Sequence, residues 1–87
     1  MRVALEQFAE AMEKKLKTKD DEHGEDGWLD THTTINMLLV RLHNEVREAQ
    51  RAYEECNPNN LADECVDIAN FAMMIRDRLK ISQGLRR

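Results

Sequence analysis

The sequence predicts an all-α protein, and three observations carry that prediction. Apolar residues recur at three- and four-residue spacing through three separate stretches, the period of a helix with one buried face. Three glycines and one proline are too little turn material for a multi-stranded sheet. Charged residues make up 34% of the chain with both signs intermixed, which fits solvated helix faces around an ordinary 41% apolar content and argues against disorder. The 87 residues form one domain, 1–87, whose own core is small.

A first helix is expected over residues 3–17. Leu5, Phe8, Ala9, Met12 and Leu16 form its apolar stripe, and Glu6 early with Lys14, Lys15 and Lys17 late complements the helix dipole. Residues 18–28 form a polar, acidic loop with Gly24 and Gly27 as turn points, long for a helix–helix connection and therefore a candidate for function. His23 lies in that loop; it, His32 and His43 are scattered and are read as surface or loop residues.

A second helix is expected from residue 30 or 31 to 55. Ile35, Leu38, Leu39, Leu42, Val46, Ala49 and Tyr53 make a narrow stripe, with Glu45 and Glu48 on one flank beside Arg41 and Ala52. Pro58 ends it, Asn60 is the expected N-cap of the next helix, and the short link predicts an antiparallel hairpin. The third helix is expected over residues 61–82, closed by Gly84. Leu61, Cys65, Ile68, Ala72, Ile75 and Leu79 form one stripe, and Val66, Ala69, Phe71, Met73 and Met74 cover most of the rest. A helix apolar nearly all round is buried on most sides, which in so short a chain calls for a partner subunit. Met73 and Met74 are read as interface packing.

The chemistry is concentrated in two motifs. Glu45-Val46-Arg47-Glu48 and Glu64-Cys65-Val66-Asp67 each place two carboxylates three residues apart, on one side of a helix. Four carboxylates converging across a hairpin repel one another and call for divalent cations between them. The structural alternative is a salt-bridge net with Arg47, Arg51 or Arg78. A di-iron bundle would want His at the position of Glu48 or Asp67. All-oxygen ligation instead selects Mg²⁺, with Mn²⁺ as a substitute.

Other classes are disfavoured. A net charge of −4 with no basic stripe excludes a nonspecific nucleic-acid binder, and Leu85-Arg86-Arg87 is too short for a basic arm. No apolar run approaches the ~20 residues of a membrane span, and the N-terminus lacks a signal-peptide core. Cys56 and Cys65 have no disulfide-framework or zinc spacing; they read as small semi-buried thiols of a reducing, cytoplasmic compartment.

Together these residues resemble the MazG-like, all-α nucleoside triphosphate pyrophosphohydrolases, whose signature is ExxE, a variable spacer, then ExxD on a helical hairpin. Glu45, Glu48, Glu64 and Asp67 match all four positions, and the resemblance continues through residue 75 and includes residues 8–16 and Gly27-Trp28. It departs at Glu25-Asp26, where small members often carry a basic residue. The resemblance implies Mg²⁺-dependent cleavage between the α- and β-phosphates of a (deoxy)nucleoside triphosphate, in a homodimer or homotetramer that cleanses the nucleotide pool. Glu45, Glu48, Glu64 and Asp67 would hold the metal, with Glu45 or Glu48 as general base. Asn70, Lys15 and Trp28 are the candidate substrate contacts, through an amide hydrogen bond, a phosphate contact and base stacking. Two other readings are a non-catalytic helical interaction module and a metal-binding member without turnover.

Overall fold

A computed structural model describes residues 1–20, 24 and 26–84; His23, Glu25, Leu85, Arg86 and Arg87 lie outside the described residues. The described chain is helical, in the order α1 (Val3–Lys17), a single 3-10 turn (Gly27–Leu29), α2 (Ile35–Glu54) and α3 (Pro58–Ser82). Helices α2 and α3 pack along their length as a hairpin, and α1 and the 3-10 turn lie against α3.

Helix α1 has the bounds its stripe predicts, and Thr18 Oγ1 donates to the Lys15 carbonyl at 2.6 Å to close it. None of its residues is fully buried: Met12 and Leu16 are half-buried against the body, while Leu5, Phe8 and Ala9 are exposed. Helix α2 starts later than expected, at Ile35. The Asp30 carboxylate accepts from the His32 amide at 2.8 Å, holding residues 30–32 in a turn. Thr34 is the true N-cap, its hydroxyl accepting from the Met37 amide at 3.1 Å.

The α2–α3 link is tighter than the sequence suggests. Cys56 adopts a left-handed conformation (φ 56°), its amide donates to the Tyr53 carbonyl at 3.1 Å, and the Asn57 amide reaches Ala52 at 2.9 Å. That is the Schellman ending of a helix, with cysteine where glycine is usual. Asn57, not Asn60, caps α3: its side chain accepts from the Asn60 amide at 3.1 Å, and Pro58 takes the first helical position, where it lacks only an N–H that had no partner to lose. At the far end Gly84 (φ 69°) terminates α3 as expected.

The core is small: Leu38, Ala49, Ala52 and Val66 are its buried apolar residues. The expected α2 stripe is rotated. Ala52, placed on its flank, is 1% exposed, while Val46 is 46% and Tyr53 68% exposed. On α3 the correction is larger, because Glu64, Val66, Asn70 and Asp77 are the buried residues while Cys65, Ala72 and Leu79 of the expected stripe are exposed. When nearly every face of a helix is apolar, periodicity loses its power to select the inner one. Both cysteines are free and exposed, against the semi-buried expectation.

Candidate metal centre

The hairpin brings Glu45 and Glu48 of α2 against Glu64 of α3. Each offers an oxygen within 4.8 Å of the others. The three differ in environment: Glu48 is exposed, Glu45 half-buried and Glu64 only 9% exposed. One oxygen of Glu64, Oε2, is buried without a hydrogen-bond partner. The Glu45 carboxyl is pushed from an ordinary 4.5 up to about 8. Its hydrogen bond to Glu64 is the main cause, followed by burial and by the charges of Glu64, Glu48 and Asp67.

Asp67 stands one turn beyond Glu64, near enough to act on Glu45 but not part of the three-carboxylate group. It pairs instead with Lys15 Nζ of α1 at 3.2 Å, so the lysine read as a phosphate contact here neutralises the fourth motif carboxylate. Among the described residues no arginine forms an ion pair with the four acids, which argues against the salt-bridge net. Arg78 is committed elsewhere, donating to the carbonyls of Trp28 at 2.7 Å and Asp30 at 3.0 Å.

A cavity of about 330 Å³ opens beside Asp67, between α1, the 3-10 turn, α2 and α3. Its wall includes all three predicted substrate contacts, Lys15, Trp28 and Asn70. Trp28 is held by its indole N–H, which donates to Asp77 at 3.0 Å, and by the Arg78 bond to its carbonyl. Asn70 is 4% exposed; its Nδ2 donates to the Met12 carbonyl at 3.3 Å, and its Oδ1 is buried without a partner. Leu38, Phe71 and Met74 supply apolar wall, and Arg41 and Lys19 bring positive charge to the cavity. Met74, expected as interface packing, lines this cavity.

Phe71 and Met74 were discoverable, since Asp67, Asn70, Phe71 and Met74 follow the i, i+3, i+4, i+7 spacing of one helix face. The anchoring of Trp28 by Asp77 and Arg78 spans about fifty residues of sequence and leaves no local signal. His32 and His43 are exposed, as expected of surface residues.

The donor set fits a hard divalent cation. Three carboxylates within ligand distance of one another, one with an orphaned buried oxygen, form a cluster that a cation neutralises and a proton relieves only in part. No helix of the described residues is long and apolar enough to cross a membrane. Comparisons with protein-family models, with curated proteins and with solved structures found no match.

Proposed function

We propose that the chain is a Mg²⁺-dependent nucleotide pyrophosphohydrolase of the MazG-like kind, cutting a (deoxy)nucleoside triphosphate between the α- and β-phosphates. The observation that carries this reading is the partnerless buried oxygen of Glu64 inside a three-carboxylate cluster, one helical turn from Asp67 and the cavity it lines, whose walls are aromatic, apolar and cationic. A carboxylate cluster one helical turn from such a cavity suits a ligand with a metal-binding phosphate at one end and a flat apolar body at the other.

Glu45, Glu48 and Glu64 would hold the ion, with Asp67 completing the set once Lys15 releases it. Mg²⁺ bound there supplies neutralisation of phosphate oxygens and a water of lowered pKa, and Mn²⁺ is the natural substitute. Glu45 or Glu48 takes the proton of the attacking water. The water oxygen bonds to the α-phosphorus, the bond to the bridging oxygen breaks, and pyrophosphate leaves with the electron pair. Lys15, half-exposed in a pair that stabilises by at most about 1 kcal/mol, is free to exchange Asp67 for a phosphate. Trp28 offers its ring to the base.

The same reading makes the protein a homodimer or homotetramer. Leu39, Val46 and Tyr53 recur every seven residues on α2 and all are exposed, a seam shaped to meet a second helix. The physiological role would be nucleotide-pool house-cleaning.

The decisive assay is ³¹P NMR of a panel of (d)NTPs with the protein, with and without Mg²⁺. Monophosphate and pyrophosphate appearing only with Mg²⁺ is the expected result. Diphosphate and orthophosphate would move the cut to another bond. No turnover would leave a metal-binding or interaction module, and a Mg²⁺ titration would separate these two.

A further inference from the structure

Asn70 is the most deeply buried polar side chain of the cavity wall, and its two ends are in different states. Nδ2 donates to the Met12 carbonyl at 3.3 Å, and since a carbonyl can only accept, this bond fixes which way the amide points. Oδ1 is the end left over, buried and without a partner. A buried acceptor without a donor costs about 1–3 kcal/mol, and a ligand that brings a donor recovers it. Around Asn70 the wall is Leu38, Phe71, Met74 and Trp28, suited to a flat ring. The three-carboxylate cluster is reached at Glu64, six residues back on α3 and about 9 Å away along the helix axis, with Asp67 between them, three residues and about 4.5 Å back. A nucleotide with its metal-bound phosphates at the Glu45, Glu48 and Glu64 cluster would thus extend past Asp67 and bring its base toward Asn70.

We propose that Asn70 reads the base: its Oδ1 accepts a hydrogen bond from an exocyclic amine, so the cavity takes amine-bearing bases of the cytosine and adenine type. This rests on the nucleotide reading above and deepens it. Uracil, thymine and hypoxanthine carry a carbonyl where those bases carry the amine. A carbonyl there would set acceptor against acceptor, and Nδ2, spent on Met12, cannot turn to meet it. Guanine is disfavoured for the same reason, since the edge of its ring remote from the sugar bears a carbonyl.

The test is equilibrium binding, followed by the fluorescence of Trp28, the single tryptophan of the chain and part of the same wall. The probes are α,β-imido triphosphates, which resist the proposed cleavage, in amine/carbonyl pairs: deoxycytidine against deoxyuridine, deoxyadenosine against deoxyinosine. In each pair the amine form is expected to bind at least about tenfold more tightly, and Asn70→Ala to erase the difference. Equal affinity within both pairs overturns the proposal. If equal affinity comes with a tenfold loss on removing the 3′-hydroxyl that Asn70→Ala abolishes, the acceptor serves the sugar and the base reading is likewise overturned. Should Asn70→Ala fail to fold, as its circular dichroism would show, the wild-type pairs still decide. Cleavage of the parent triphosphates is assayed in parallel. Preference without turnover keeps this proposal and removes the hydrolase; turnover without preference does the reverse.

Discussion

Glu64 has one carboxylate oxygen buried without a partner and two carboxyl groups, those of Glu45 and Glu48, within ligand distance, so it lowers the stability of the metal-free fold. Glu64→Gln keeps the volume and removes the charge. In EDTA the variant is expected to be more stable than the parent by about 1–2 kcal/mol, and to lose the stabilisation that Mg²⁺ gives the parent. Denaturation with and without Mg²⁺ reads both effects. The hydrolase reading fails if Glu64→Gln and Asp67→Asn leave Mg²⁺-dependent cleavage intact. Glu45 adds a pH dependence. Its carboxyl titrates near 8 in the fold against 4.5 ordinarily, so between those values the folded state holds a proton that the unfolded chain has lost. The contribution of Glu45 to the stability of the metal-free protein is therefore full below about pH 4.5 and is lost as pH rises to about 8. Thermal melts in EDTA from pH 5 to 8 should show this decline, Glu45→Gln should flatten it, and Mg²⁺ should stabilise most at the alkaline end.

At the scale of elements, the sharp α2–α3 turn holds the centre together, because it sets the register at which Glu45 and Glu48 meet Glu64. That turn rests on two residues with separable roles. Cys56 occupies a left-handed position that costs an L-residue about 1 kcal/mol, so Cys56→Gly is expected to stabilise by roughly 0.5–1 kcal/mol. Asn57→Ala removes the cap of α3 and is expected to cost about 1 kcal/mol. Urea denaturation of both variants checks the pair, and opposite signs are the signature of this turn. Helix α1 is held differently. Its attachment near the centre consists of the Met12–Asn70 hydrogen bond, the Lys15–Asp67 pair and the partial burial of Met12 and Leu16.

Across the whole molecule, the radius of gyration is 13.9 Å, against about 12 Å for a compact chain of this length. Among the described residues only four apolar ones are buried, while Leu39, Val46 and Tyr53 line the outside of α2. A lone hairpin with so small a core is marginal, and association along that seam would supply the missing burial. Two outcomes follow: a melting temperature that rises with protein concentration, and a Val46→Glu variant that runs as a destabilised monomer. Light scattering after size exclusion measures the second; a monomeric wild type would remove the seam from the argument.

The sequence by itself determined the three helices, the antiparallel hairpin and the acidic residues that α2 and α3 carry. These follow from local periodicity, from Asn-Pro turn chemistry and from a three-residue spacing that any helix converts into one face. It did not determine which faces point inward. Val46 and Tyr53 look like core and lie outside, while Ala52 lies inside, because apolar residues surround α3 and the mutual packing of α2 and α3 makes the choice. Only the tertiary structure separated Asp67 from the other three acids by giving it Lys15, and joined Trp28 to Asp77 and Arg78. Those are contacts between residues about fifty positions apart, made by the way helices pack, and local sequence pattern carries no record of them.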